Sequence, residues 1–219
     1  RAQLEKDTGF LVHLSRTFPA MFPYLKSFYH TLNSWRSGRS TAGWKLSSNE
    51  WKEAFELDIS MKAYEVDAHK KAYARAHDKE APSKVKTVDG FGDDVRALSQ
   101  LLSSEEPTER LVRGTNSHQV KFGFGDASGG GFGSSWTSSE GDTKYRFGTW
   151  GDDMDSSSSN LRELKNLVET LELMGQNDEL NGVEMYLFTD NSTAEYAFFK
   201  GSSSSRLLFE LVLKLRKLE

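Results

Sequence analysis

The chain has 219 residues, 37% of them hydrophobic, no cysteine and a formal charge of −4. That length allows one large domain or two small ones with a real core, and the missing cysteines exclude disulfides, thiolate metal sites and cysteine nucleophiles. Apolar stretches fall far short of the roughly 20 residues that span a bilayer and the first residues carry no signal-peptide core, so the expectation is an intracellular protein with no membrane partner, cytoplasm and nucleus not being distinguished.

Residues 1–112 hold three of the five tryptophans and no strong period-2 segment, and are expected to be mainly helical. From Pro23 to Trp35, the residues Tyr24, Leu25, Phe28, Tyr29, Leu32 and Trp35 recur at helical spacing, and proline is tolerated at a helix start. A second helix is predicted to open at Ser47, with Glu50 completing a capping box, and to run unbroken for about 30 residues to the DKE segment. Trp51, Phe55, Met61 and Tyr64 give it a partial apolar stripe, while His69, Lys70, Lys71, Arg75, His77 and Lys79 make its far end basic. That end is either a solvated face or a contact for nucleic-acid phosphate. Pro82–Asp94 reads as a linker, followed by a short helix with Val95, Leu98, Leu101 and Leu102 on one face, ended by Pro107.

Residues 113–219 change period. Val120, Phe122, Phe124 and Asp126 alternate, as do Phe132, Ser134 and Trp136 beyond the glycines, and KYRFGTW follows an EGD turn. This predicts three antiparallel strands in a meander. In SSSSNLRELKNLVETLELM, Asn160 is a candidate cap and Leu161, Leu164, Val168 and Leu171 form a helical stripe. The apolar run GVEMYLFTDN reads as a parallel strand buried on both faces. A short helix capped by Ser192 and Glu195 and stopped at Gly201 follows, then an amphipathic helix with Leu207, Leu208, Leu211, Val212, Leu215 and Leu218 on its apolar side.

Three acids fall at element ends: Asp126 closing the first strand, Glu163 in the first turn of the long helix, and Asp190 closing the fourth strand. Each has an ordinary explanation, as a turn former, a capping-box acid and a loop acid respectively. Converging, they would supply the hard oxygen ligands that magnesium takes in phosphodiester hydrolysis. Asp126 also shares the parity of apolar residues on its strand, where an acid needs a reason.

The segments DASGGGFGSSW, NLREL and LFTDNSTAEYAFFKG resemble, in order, the three acidic motifs of the ribonuclease H-like domain of retrotransposon reverse transcriptases. The resemblance spans about 100 residues. It implies an α/β, ribonuclease H-like mixed sheet made of three antiparallel strands, a helix, a parallel strand and further helices. It also implies Mg2+ or Mn2+ on Asp126, Glu163 and Asp190, and cleavage of the RNA strand of an RNA–DNA hybrid. The stretch GFLVHLSRTFPAMFPYLKSFYHTLNSW is similar to the thumb region that follows the polymerase palm, which implies a piece of a longer polyprotein. The same family pattern has a further strand and a fourth acid, expected beyond Glu219, and without them the alternative is a catalytically inactive nucleic-acid-binding or structural module.

Other motifs lead elsewhere. Trp150-Gly151-Asp152-Asp153 has the look of a polymerase turn, but no palm or fingers motif accompanies it, so no polymerase activity is expected; with Asp155 it reads as an acidic loop. His118 reads as a surface residue or a hydrogen-bonding partner for substrate, His69 and His77 lack a third zinc ligand, and GGGFG has no following Gly-Lys-Ser/Thr to make a phosphate loop.

Overall fold

The structure is a computed structural model that describes residues 1–103, 119–138, 140–154 and 157–218. The chain divides into two compact units, Arg1–Thr108 and Glu109–Glu219. Among the described residues, no helix is long and apolar enough to cross a membrane.

The first unit opens with a helix that the sequence pattern did not announce, α1 (Ala2–Ser15), which buries the polar Thr8 and Ser15. Both hydroxyls bond back to main-chain carbonyls, of Leu4 and Val12, so burying them leaves no polar group unmet. The helix expected from Pro23 is instead a 3-10 helix, Pro19–Leu25, that passes into α2 (Lys26–Leu32). Pro23 has no N–H and its ring crowds the preceding turn, so a regular α-helical ladder forms only beyond it. Met21, Leu25 and Phe28 from this stretch pack with Leu98 into a small core.

The long helix expected from Ser47 is broken in two. The capping box of Ser47 and Glu50 is present and starts α3 (Ser48–Ala54), but the next helix, α4 (Ala63–His77), begins only after a turn. Glu56 adopts φ 50° there, and the Asp58 carboxylate accepts both the N–H and the hydroxyl of Ser60 at 2.8 Å. This Asx-type turn competes with helix for the same backbone donors. Phe55 stacks on Trp51, one helical turn before it, at 4.3 Å, and the reversal brings Tyr73 of α4 to 4.7 Å from Phe55. The last helix of the unit, α5 (Phe91–Leu102), starts inside the expected linker, where Gly90 takes a left-handed conformation. Only Leu98 of its four expected apolar residues is buried; its expected terminator, Pro107, lies outside the described residues.

The second unit is an α/β structure around a four-stranded mixed sheet, ordered β3-β2-β1-β4. Strands β1 (Gln119–Ala127), β2 (Gly131–Thr137) and β3 (Thr143–Thr149) form the antiparallel meander. After α6 (Ser159–Gln176) the chain returns as β4 (Val183–Phe188), parallel to β1. Helices α7 (Ser192–Lys200) and α8 (Arg206–Leu218) complete it. The core joins Trp136 of the sheet to Leu164, Val168, Leu171 and Met174 of α6, Ala194 and Ala197 of α7, and Leu208, Val212 and Leu215 of α8.

These helices cover one face of the sheet, and it is not the face with the apolar parity on β1. Val120, Phe122 and Phe124 are 45%, 45% and 54% exposed. The inward residues of β1 are Lys121, Gly123, Gly125 and Ala127. β4 is likewise half-buried rather than buried on both faces, since Met185 and Leu187 pack inward while Tyr186 and Phe188 stack outside on Phe122 and Phe124. Small inward residues let α6 approach closely: a Cβ on Gly125 would lie 2.7 Å from Leu167 Cδ2 and 3.1 Å from Asn166 Nδ2. Fully buried Lys121 reaches the Glu179 carbonyl at 2.8 Å. Burial pushes the Glu179 carboxyl up, but the hydrogen bonds from Trp136 and Lys144 and the charges of Lys144 and Lys121 outweigh it and hold it below the usual range.

Candidate metal centre

The parallel pairing of β1 and β4 explains why two of the acids meet. Phe124 lies opposite Phe188, so Asp126 and Asp190, each two residues further on, emerge at the same end of adjacent strands. Beyond Asp126 the chain turns back tightly, with the Ser128 N–H bonded to the Gly131 carbonyl at 2.8 Å. The Trp150 indole N–H holds this turn by donating to the Ser128 carbonyl at 3.0 Å.

The third acid comes from α6. The cap of that helix is Ser158, whose hydroxyl accepts from the Leu161 N–H at 3.3 Å, and not the expected Asn160. Ser159 opens the helix, so Glu163 is past the first turn and cannot be a capping-box acid. The Asn160 side-chain Oδ1 instead accepts from Asn191 Nδ2 at 3.0 Å. Asn191 in turn caps α7 by accepting from the Ala194 N–H at 2.9 Å, replacing the expected Ser192 and Glu195 pair. The Asn160–Asn191 bond therefore ties the start of α6 to the residue after Asp190.

Asp126, Glu163 and Asp190 each offer a carboxylate oxygen, and these oxygens all lie within 4.8 Å of one another. Asp126 and Asp190 are exposed whereas Glu163 is 6% exposed. Burial, then the charge of Asp126, raise the Glu163 carboxyl above the usual glutamate range; Asp190 adds to the rise, and a backbone hydrogen bond from Ala127 opposes it. Its Oε2 is buried without a hydrogen-bond partner. A buried, unpartnered carboxylate oxygen beside two like charges is costly, and a cation bonded to all three carboxylates would offset that cost. The three acids could hold a metal ion, and all-oxygen donors favour a hard cation.

A polar stripe on α6 supports the cluster. Glu163, Asn166 and Thr170 recur at i, i+3 and i+7, and all three are buried. Asn166, fully buried, donates to the Asp126 carbonyl at 3.0 Å and the Gly133 carbonyl at 2.8 Å, and accepts from Arg146 Nη1 at 2.9 Å. Arg146 also pairs with Glu169, and Thr170 meets the Ser134 hydroxyl at 2.7 Å. Asn166 thus fixes the helix against the main chain of the residue bearing one ligand. Sequence reasoning missed it, although a polar i+3 partner of Glu163 beside the Leu164–Val168–Leu171 stripe was a readable signal.

Asp126, Glu163 and Asp190 are the one group of three or more His, Asp or Glu side chains among the described residues close enough to share a metal. Asp152 opens a 3-10 turn, Asp152–Met154; Asp155 and His118 lie outside the described residues. His69 accepts the Trp51 indole N–H at 3.1 Å, and His77 bonds the Tyr73 carbonyl at 2.8 Å. No protein-family model, curated protein sequence or solved structure matches the chain.

The raised Glu163 pKa sets a pH dependence. The folded state binds this proton more tightly than the unfolded chain does, so the stabilisation is present below the unfolded value and is lost as pH rises through the folded value. Without metal, thermal stability is expected to fall as pH rises from the ordinary glutamate range through the raised Glu163 value. Added Mg2+ restores it at the upper end, where the Glu163 carboxyl is ionised. Melting curves in EDTA and in magnesium across that window check this, and a Glu163→Gln chain that keeps the same slope would contradict it.

Proposed function

We propose that the second unit is a ribonuclease H-like domain that hydrolyses the RNA strand of RNA–DNA hybrids with Mg2+ or Mn2+, as part of a retroelement reverse transcriptase polyprotein. The observation that carries this reading is the convergence of Asp126, Glu163 and Asp190 from β1, α6 and β4. The order of their motifs, DASGGG, NLREL and FTDN, supports it, as does the order β3-β2-β1-β4 with β4 parallel to β1.

Asp126, Glu163 and Asp190 would be the ligands. A divalent cation there supplies Lewis acidity and neutralises charge on the phosphodiester. In the reaction a water oxygen bonds to phosphorus, the bond to the leaving ribose oxygen breaks, and that oxygen takes up a proton. The chain's own part is to hold its three carboxylates fixed and close together. Asn166 holds the Asp126 backbone, and the Asn160–Asn191 bond holds the approach to Asp190. Beside Asp126 and Asp190 lies an open hollow of about 590 Å³ on the uncovered sheet face, lined by Phe124, Tyr145, Phe147 and Phe188 among others. A hybrid is distinguished from DNA by its 2′-hydroxyls and groove shape rather than by base sequence.

The test is a hybrid with both strands labelled, incubated with the chain in Mg2+ or Mn2+. Cleavage of the RNA strand alone, stopped by EDTA, is expected, with no cutting of the matching DNA duplex. Intact RNA under these conditions, or equal cutting of both strands, would overturn the proposal.

A further inference from the structure

Outside the carboxylate cluster, a strongly charged cleft of about 480 Å³ lies in the first unit. One wall is the segment from Arg36 to Leu46 and the other is the face of α4 that carries Asp67, Lys70, Lys71, Ala74 and Asp78, with Trp51 between them. The wall is built and not merely draped. Residues 38–46 form a short hairpin-like loop in which the Leu46 N–H bonds the Gly38 carbonyl at 3.0 Å and Arg39 pairs with Lys45 as a single antiparallel bridge. Gly38, at φ 71°, lies so close to the Trp51 ring that a Cβ would collide with it. Lys70 Nζ clamps the loop from α4 by donating to the Leu46 carbonyl at 3.0 Å.

Five cations (Arg36, Arg39, Lys45, Lys70 and Lys71) face two acids in this cleft, an excess of three positive charges within a chain whose net charge is −4. Of the acids, Asp78 is already engaged by the Ser37 N–H at 2.9 Å. Arg36, Lys45 and Lys71 make no ion pair among the described residues. Burial and then the charge of Arg36 hold the Arg39 guanidinium below its ordinary value, and Asp78 only partly compensates. The Ser37 hydroxyl oxygen, also in the lining, is buried without a hydrogen-bond partner. Crowded cations in a partly desolvated cleft repel one another, and an anion with several acceptor oxygens relieves that repulsion.

We infer that this cleft is a phosphate-binding site, with Arg36, Arg39 and Lys71 as the principal contacts. The cations lie along a helix face and a loop rather than around a point, which suits successive phosphates of a nucleic-acid strand; a free phosphate offers the same chemistry. The inference is independent of the ribonuclease reading and is tested in EDTA, where the carboxylate cluster plays no part.

Titrating inorganic phosphate into the full chain should shift the backbone amide resonances of Gly38, Arg39 and Lys71. A labelled RNA–DNA hybrid that displaces phosphate from these residues identifies the strand backbone as the ligand, and failure to displace it identifies free phosphate. If the strand binds, Arg36→Gln with Lys71→Gln should weaken it about tenfold and lower the salt slope by about two, near one for each phosphate that is no longer neutralised. Arg75→Gln with Lys79→Gln, outside the cleft lining, should change it little. Amides that respond to neither probe, or equal weakening by both pairs of substitutions, would overturn the inference.

Discussion

Asp190→Asn is expected to abolish metal-dependent cleavage, by at least about a thousandfold, because even outer partners of metal ligands cost about 10–100-fold when removed. The same change should leave the metal-free protein more stable, not less. Asp190 is exposed and its charge pushes the Glu163 carboxyl up, so neutralising it removes repulsion without opening a cavity. The variant should therefore melt higher than the parent in EDTA and gain nothing from Mg2+, while the parent gains stability by linkage to the bound ion. Melting curves with and without metal, paired with the cleavage assay, check both halves. Lower stability in EDTA would mean that Asp190 is a structural acid.

Asn166→Leu is expected to destabilise the second unit by about 3 kcal/mol or more, since each buried polar group left without a partner costs about 1–3 kcal/mol. The Asp126 and Gly133 carbonyls lose this donor together, and Arg146 Nη1 loses its acceptor while the guanidinium keeps Glu169. Cleavage should fall at least about tenfold even where the variant remains folded, as for an outer partner that orients a ligand. Asn166→Asp would keep the acceptor for Arg146 but lose both donors to the carbonyls and bring a fourth negative charge to the cluster. Urea unfolding, followed through Trp136 in the core of this unit, measures the stability change. Wild-type stability in Asn166→Leu would contradict the role given to it.

Asp126 and Asp190 were visible in the sequence because each sits where a strand ends, and Glu163 because it lies near the start of a helix; both kinds of boundary show as a change of period. What could not be read was which alternative explanation each acid would escape. Glu163 escapes the capping role only because the serine run places Ser158, and not Asn160, at the helix start. Period-2 alternation in β1 predicted two faces but could not say which one the helices cover. The covered face carries Lys121, Gly123 and Gly125, which look like exterior residues, and it is selected by close packing of α6 and by the bond from Lys121 to Glu179. The break between α3 and α4 was hidden because Asp58 and Ser60 suit a helix surface as well as a turn. Local side-chain bonding decided between them.

Whether Asp126, Glu163 and Asp190 form a divalent-metal site is decided by counting bound Mn2+ by electron paramagnetic resonance in the full chain and in Glu163→Gln. Mn2+ is expected to bind the unmodified chain, to be displaced by Mg2+, and to be lost in Glu163→Gln although that variant remains folded. Equal Mn2+ binding by both chains, or none by the unmodified one, would contradict such a site.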